Sequence, residues 1–376
     1  MFLALRELVF ARGRFALMGA VVALIAILMV LLSGLSVGLA NDGVSGLQRM
    51  PVTSLAFQED VSKDSAFSRS VVGENAVESW SKQDGVAEAE PFGNTLVNAR
   101  TDKGLEIDLA LFGVEVGSFL DPDVAEGSPI AGEGEVVVSG TAAEEGVKIG
   151  DTVVLQPSGT ELKVVGVLAD QHTFGHVDLG YIALKTWQEI RAGVRAGDAV
   201  PDRVYDEFTA VAVKAEDSAE VDLAAGDEAA GTTSLTREES YGGSPGYTAE
   251  TSTLQLIQGF LYAISALVVG AFFTVLTIQR RQEIAVLRAL GASTGYLLRD
   301  SLMQSIVLLV ASAGIGIGIG LAAGAALATT SMPFALEAGP VIGATVLLLV
   351  LGLAGAAVAV VRLTRIDPLT ALGGSR

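Results

Sequence analysis

Cysteine is absent from the 376 residues, so neither disulfides nor thiolate metal sites are available. Lysine is confined to Lys63, Lys82, Lys103, Lys148, Lys163, Lys185 and Lys214. No G-x-x-x-x-G-K-[ST] phosphate loop occurs anywhere, which excludes the usual nucleotide-binding loop from this chain. Histidine is down to two residues, His172 and His176. No Ser/His/Asp or paired-carboxylate pattern stands out, so the chain reads as a non-enzyme.

What is present is segregated. Half of the residues are hydrophobic, yet the net charge is −19. Residues 41–252 hold 38 Asp and Glu against 14 Lys and Arg, a balance of −24, while the remainder holds ten Arg and five acids, a balance of +5. Such an acidic segment repels phosphates and argues against nucleic acid as a partner. It suits a solvated domain outside the cell, large enough to form its own core without disulfides.

Phe15 to Leu39 is a charge-free apolar run, long enough to cross the roughly 30 Å of a bilayer. It exceeds the 7–15 apolar residues typical of a signal peptide, so it is read as a retained helix. Three more apolar runs follow, and all ten basic residues outside the acidic segment flank the runs on one side. The positive-inside rule then places both termini in the cytoplasm. The expected organisation is a cytoplasmic amphipathic segment 1–14, a first helix 15–39, an extracytoplasmic domain 40–252 and a second helix 253–278. A cytoplasmic segment 279–300, a third helix 301–329, an outer loop 330–340, a fourth helix 341–361 and a cytoplasmic tail 362–376 complete it. The fold class is a membrane protein of the plasma membrane, with four transmembrane α-helices in a 1+3 arrangement and an α+β extracytoplasmic domain between the first two.

Inside that domain, Glu135–Ser139, Thr152–Leu155 and Leu162–Leu168 are Val- and Leu-rich runs bounded by turn residues, as strands are. Thr141–Glu145 before Gly146 reads as a short helix with a glycine stop. The acidic stretch 215–231 reads as surface loops and helices, and Glu238–Pro245 as a Gly/Ser hinge before the second membrane helix.

Four groups of residues invite functional readings. Arg280, Arg281, Glu283, Ile284, Leu287, Arg288 and Leu290, ended by Gly291, form a short amphipathic helix. Two readings stand open from the residues alone: a ridge for a partner's groove, or an interfacial helix held by arginines to lipid headgroups. Gly34 and Gly38 in the first helix, and Gly314, Gly316, Gly318, Gly320 and Gly324 in the third, have small-xxx-small spacing for close helix packing, within one chain or between two. His172 and His176, flanked by Asp170 and Asp178, could hold a metal on a helix; the intervening Thr173-Phe174-Gly175 favours a loop. Met18 and Met29 in the first helix and Met50 just beyond it carry soft thioethers of the kind that ligate haem iron, although most such residues simply pack.

The segment RRQEIAVLRALGAS resembles the cytoplasmic helix of ABC transporter permeases of the MacB/FtsX type. The tail Arg365–Leu372 (RIDPLTAL) is similar to that family's closing motif, and VVVSGTAAEEGVKIGDTVVL with LKVVGVLAD resembles its outer domain. The resemblance extends over nearly the whole chain. It implies that residues 280–291 contact a cytoplasmic ATPase, that ATP and magnesium bind on two copies of that separate subunit, and that the permease is a homodimer in the lipid bilayer. The N-terminal 39 residues look most like actinobacterial haem-exporter (HrtB-like) permeases, which makes haem the expected cargo and Met29, with Met18 and Met50, the candidate contacts. No cofactor resident in this chain is implied. An FtsX-like mechanotransmitter controlling a cell-wall hydrolase, and an exporter of a lipoprotein, peptide or other hydrophobic compound, are the alternatives.

Overall fold

The computed structural model describes residues 12–195, 199–217, 219–279, 286, 291, 293–330 and 332–364. In chain order its longer helices are α1 (Arg12–Arg49), α2 (Glu74–Ser81), α3 (Leu184–Arg191), α4 (Leu223–Ala230), α5 (Tyr247–Gln279), α6 (Thr294–Leu327) and α7 (Ala338–Thr364). Eleven strands lie between α1 and α5. They are β1 (Ser54–Gln58), β2 (Val86–Thr101), β3 (Glu106–Val114), β4 (Val124–Gly127), β5 (Glu135–Val138) and β6 (Thr152–Gln156), then β7 (Glu161–Leu168), β8 (Thr173–Phe174), β9 (Val177–Ala183), β10 (Ala210–Ala215) and β11 (Thr232–Thr236). The chain divides into two compact units, residues 1–39 with 252–376, and residues 40–251.

The first unit is helical. Among the described residues, four helices are long and apolar enough to cross a membrane, with candidate spans Phe15–Arg49, Tyr247–Phe272, Leu302–Leu327 and Ala338–Val358. In hydrocarbon every backbone polar group must be bonded internally, which a continuous helix achieves by itself. Threonines inside the spans bond back to their own helix, Thr274 Oγ1 to the Gly270 carbonyl and Thr345 Oγ1 to the Val341 carbonyl, each at 2.8 Å. Phe15, Met18, Val22, Val269, Leu309 and Ala356 pack together from all four helices. Small residues bring backbones close. A Cβ on Gly316 would fall on the Ala23 carbonyl oxygen, and one on Gly320 would lie 2.9 Å from Val30 Cβ. Between α5 and α7, a Cβ on Gly355 would come within 2.7 Å of the Ala266 carbonyl oxygen.

The second unit is a mixed sheet ordered β11-β1-β10-β2-β3-β9-β5-β7-β4, with β6 on β2 and β7, and β8 on β9. The long antiparallel pair β2/β3 runs from Phe92↔Val114 to Arg100↔Glu106, and β9 lies parallel to β3 from Leu109↔Asp178 onward. Both faces are buried, so there are two cores. One gathers Trp80, Trp187, Leu109, Leu111 and Val138. The other gathers Phe57, Phe67, Phe92, Phe112, Phe174 and Tyr181, with the Phe92 and Phe112 rings edge to face at 4.9 Å.

Local signals account for the small elements. Asp222 Oδ1 accepts from the Ala225 amide at 3.1 Å and starts α4, and Gly231 closes it at φ +65°. The stretch 238–245 departs from the expected hinge. Thr236 and Glu239 form a reciprocal capping box that starts a helix Arg237–Ser240. Ser240 and Ser244 are buried, and Ser244 Oγ donates to the Gly43 carbonyl at 2.8 Å. Side-chain hydrogen bonds thus turn a glycine- and serine-rich segment into a packed connection.

Candidate functional site

Within the helical unit, a cavity of about 230 Å³ opens between α1, α5 and α7. Met29, Ser33, Ser36 and Val37 of α1 form one wall; Gln258, Leu261 and Tyr262 of α5 form another, and Pro340 and Ala344 of α7 the third. The α1 wall follows from helical periodicity, since residues 29, 33, 36 and 37 share one face. No lining residue carries a formal charge. The polar groups are two serine hydroxyls, one amide, one phenol and one thioether, a sparse set in an apolar surround of the kind that orients small molecules. Thioether and phenolate are both known axial ligands of haem iron. The volume falls below the ~300 Å³ at which drug-sized pockets begin.

Met29 lies in the wall of this cavity, while Met18 and Met50 lie elsewhere in the chain. Met18 is buried beside Val22 and Val269 in a separate cluster. Met50 sits in the aromatic core of the sheet unit, where its carbonyl accepts from Arg237 Nη1 at 3.3 Å. Gln258 and Tyr262 are polar groups one turn apart in an apolar span, the signal by which the sequence marks this wall.

The glycines singled out by spacing split into two tasks. Gly316 and Gly320 admit α1 against α6. Gly34, Gly38 and Gly324 seat the segment 333–336: a Cβ on Gly34 would strike the Phe334 ring, one on Gly38 the Pro333 backbone, and one on Gly324 would lie 3.0 Å from Phe334. The Ala335 amide donates to the Gly34 carbonyl at 3.1 Å. By contrast, nothing lies within 4 Å of a Cβ added at Gly314 or Gly318.

Of the amphipathic segment, Arg280, Arg281, Glu283, Ile284, Leu287, Arg288 and Leu290 lie outside the described residues, as does the tail 365–376. Gly291 is described, in a turn with φ +96°.

The two histidines lie in a hairpin rather than an open loop, because β8 and β9 pair through Phe174↔Val177. This hairpin grips residues 41–49 of α1. Thr173 N donates to Ser45 Oγ at 2.9 Å, Gly175 N to the Gly43 carbonyl at 2.9 Å, and Gln171 Nε2 to Asp42 Oδ1 at 2.9 Å. Arg49 pairs with Asp170 at 3.3 Å. His176 Nδ1 lies 2.9 Å from Asp42 Oδ2, and its Nε2 lies 3.1 Å from Glu250 Oε2. Among the described residues, no group of three or more His, Cys, Asp or Glu side chains is arranged to hold a metal ion.

His172 is half-buried, and burial first, then the positive charge of Arg49, push its imidazole below the ordinary value of 6.5. Folding thus favours the neutral ring. That contribution to stability is complete above about pH 6.5 and is lost as pH falls through the lowered value. Thermal unfolding of the full-length protein should therefore show a fall in Tm below pH 6.5 that is shallower in His172→Gln.

The chain is similar to several known proteins. Residues 256–368 match the family model of the FtsX-like permease C-terminal domain. Two proteins named as hemin transport system permease HrtB, from Staphylococcus epidermidis and Staphylococcus haemolyticus, are each 24% identical. The first aligns over 100% of this chain and 99% of its own length, the second over 99% of each. Among solved structures, the extracellular domain of the ABC-type transporter YknZ from Gram-positive bacteria matches 49% of this chain and 98% of its own, at 16% identity and a TM-score of 0.35. The periplasmic region of MacB from Actinobacillus actinomycetemcomitans matches 51% of this chain and 92% of its own, at 12% identity and a TM-score of 0.36.

Proposed function

We propose that this FtsX-like permease is the membrane subunit of an ATP-driven exporter of haem, fed by hydrolysis on a separate subunit. The observation that carries the reading is the α1–α5–α7 cavity, in which Met29, Gln258 and Tyr262 face an uncharged apolar space. It is supported by full-length similarity to permeases named for hemin transport. The absence of a phosphate loop and of lysine outside the sheet domain supports the reading that a partner carries the nucleotide chemistry. In this reading the arginine-flanked segment 280–291 is cytoplasmic and docks that ATPase, residues 41–252 lie outside, and two permeases assemble with two ATPases.

The cavity's position suggests the route. The flat, apolar porphyrin partitions into the bilayer and enters sideways between α1 and α5. Met29 offers the iron a soft ligand, while Gln258 and the serines supply hydrogen bonds to carboxylate groups. Two facing chains would enclose what a single cavity holds only in part, and closure driven by ATP would expel the porphyrin outward.

The permease purified with its ATPase should shift the Soret band of added haem. Met29→Ala should weaken haem affinity on the order of tenfold, the scale seen when a metal's immediate surroundings are altered. An unshifted Soret band, or an affinity untouched in both Met29→Ala and Tyr262→Phe, would refute the haem reading. Capture of a cell-wall hydrolase by the sheet domain in that case would favour mechanotransmission.

A further inference from the structure

The turn between β8 and β9 has a sequence that its shape does not favour. Phe174 pairs with Val177, so Gly175 and His176 are the whole loop, and their φ angles are +63° and +65°. A two-residue hairpin with both φ values positive is the type I′ geometry, which Asn-Gly and Gly-Gly adopt most readily. A histidine in the left-handed region is disfavoured relative to its ordinary conformations. Such strain at a non-glycine residue points to a role for the side chain.

The ring reaches two helices at once. Its Nδ1 is hydrogen-bonded to Asp42 Oδ2 of α1 at 2.9 Å. Its Nε2, buried, approaches Glu250 Oε2 of α5 at 3.1 Å without hydrogen-bond alignment. The carboxylates face opposite nitrogens, so the trio is a bridge and not a chelate. Asp42 is itself fixed by Gln171. Glycines flank the ring on both helix sides: a Cβ on Gly43 would lie 3.7 Å from His176 Cε1, and one on Gly246 3.8 Å from Nε2. Asp42, His176 and Glu250 all belong to the unit of residues 40–251. Yet α1 and α5 continue out of that unit as the chain's first and second apolar spans.

We propose that His176 is a positioning residue that clasps the domain-side ends of α1 and α5 to a single hairpin. A displacement of either helix then passes to the other and into β9, which lies parallel to β3 in the middle of the sheet. The clasp stands on geometry alone; its use in driving export rests on the transporter reading above.

The test uses the full-length permease in nanodiscs with His176→Gly and His176→Asn. Both residues suit a positive-φ turn, so folding is retained and thermal unfolding verifies it. Hydrogen exchange at the amides of residues 41–49 and 247–253 should quicken about tenfold in both variants, as local opening becomes easier, while β9 stays protected. Wild-type exchange rates at both helix ends would overturn the clasp. In the ATPase complex, haem-stimulated hydrolysis should fall about tenfold, with haem affinity unchanged, corresponding to one decade in coupling. Stimulation at the wild-type level in both variants would overturn the coupling role. A wild-type complex without haem stimulation would count against the transport reading, and the exchange rates would still decide the clasp.

Discussion

Trp187→Ala should destabilise the sheet domain by about 3–5 kcal/mol, the range for removing a buried large aromatic. Trp187 sits on α3 and is 1% exposed. Its indole lies on a notch made by two glycines paired across β2 and β3, Gly93↔Gly113. A Cβ on either glycine would run into the Trp187 side chain. For a domain of this size the expected fall in Tm is on the order of 10 °C. The notch supplies an internal check. Gly93→Ala alone should destabilise, because the added methyl meets the ring, whereas in the Trp187→Ala background it should restore part of the loss. Additive effects in that cycle would show that notch and ring are independent.

Gly316→Ala should cost the helical unit about 1–3 kcal/mol through overpacking, while Gly318→Ala on the same helix should be neutral or slightly stabilising. The two glycines differ only in what faces them. A methyl at 316 meets the Ala23 carbonyl oxygen and lies 2.7 Å from Ala26 Cβ, and nothing lies within 4 Å of one at 318. At Gly318 only the helix propensity remains, which favours alanine by about 1 kcal/mol in water. Thermal unfolding in detergent compares the pair directly. Equal behaviour would mean that α1 and α6 do not touch through Gly316. Loss of self-association in Gly318→Ala alone would assign its open face to a second copy of the chain.

Much of this architecture is legible in the sequence, for a physical reason. A membrane span needs only an uninterrupted apolar run, so Phe15–Leu39 announces itself without any tertiary information. The strands β5 and β7 and the helix stop at Gly146, φ +120°, are similarly local. β2 is not. Pro91 and Gly93 argue against a strand, yet the long pairing with β3 and the seat for Trp187 override them. The 238–245 segment misleads because composition suggests flexibility while the capping box and the buried Ser244 fix it. In the cavity, softness alone points to Met29 in the sequence, whereas Gln258 and Tyr262 join it only through the folded wall. Asp42, His176 and Glu250 carry no joint signal, being brought together only by the sheet.

The grip of the 170–178 hairpin on α1 also decides where the molecule can be cut. Ser45 Oγ, the Asn41 and Gly43 carbonyls and the Asp42 carboxylate all serve groups of the hairpin or Ser244. A soluble fragment beginning at Met50 would lose these acceptors together with the buried Val44 and Leu47 side chains, each large apolar deletion from a core costing about 2–5 kcal/mol. The compact unit begins at Ala40 and ends at Thr251. It carries a stub of each membrane helix, and a fragment prepared for crystallisation should keep both.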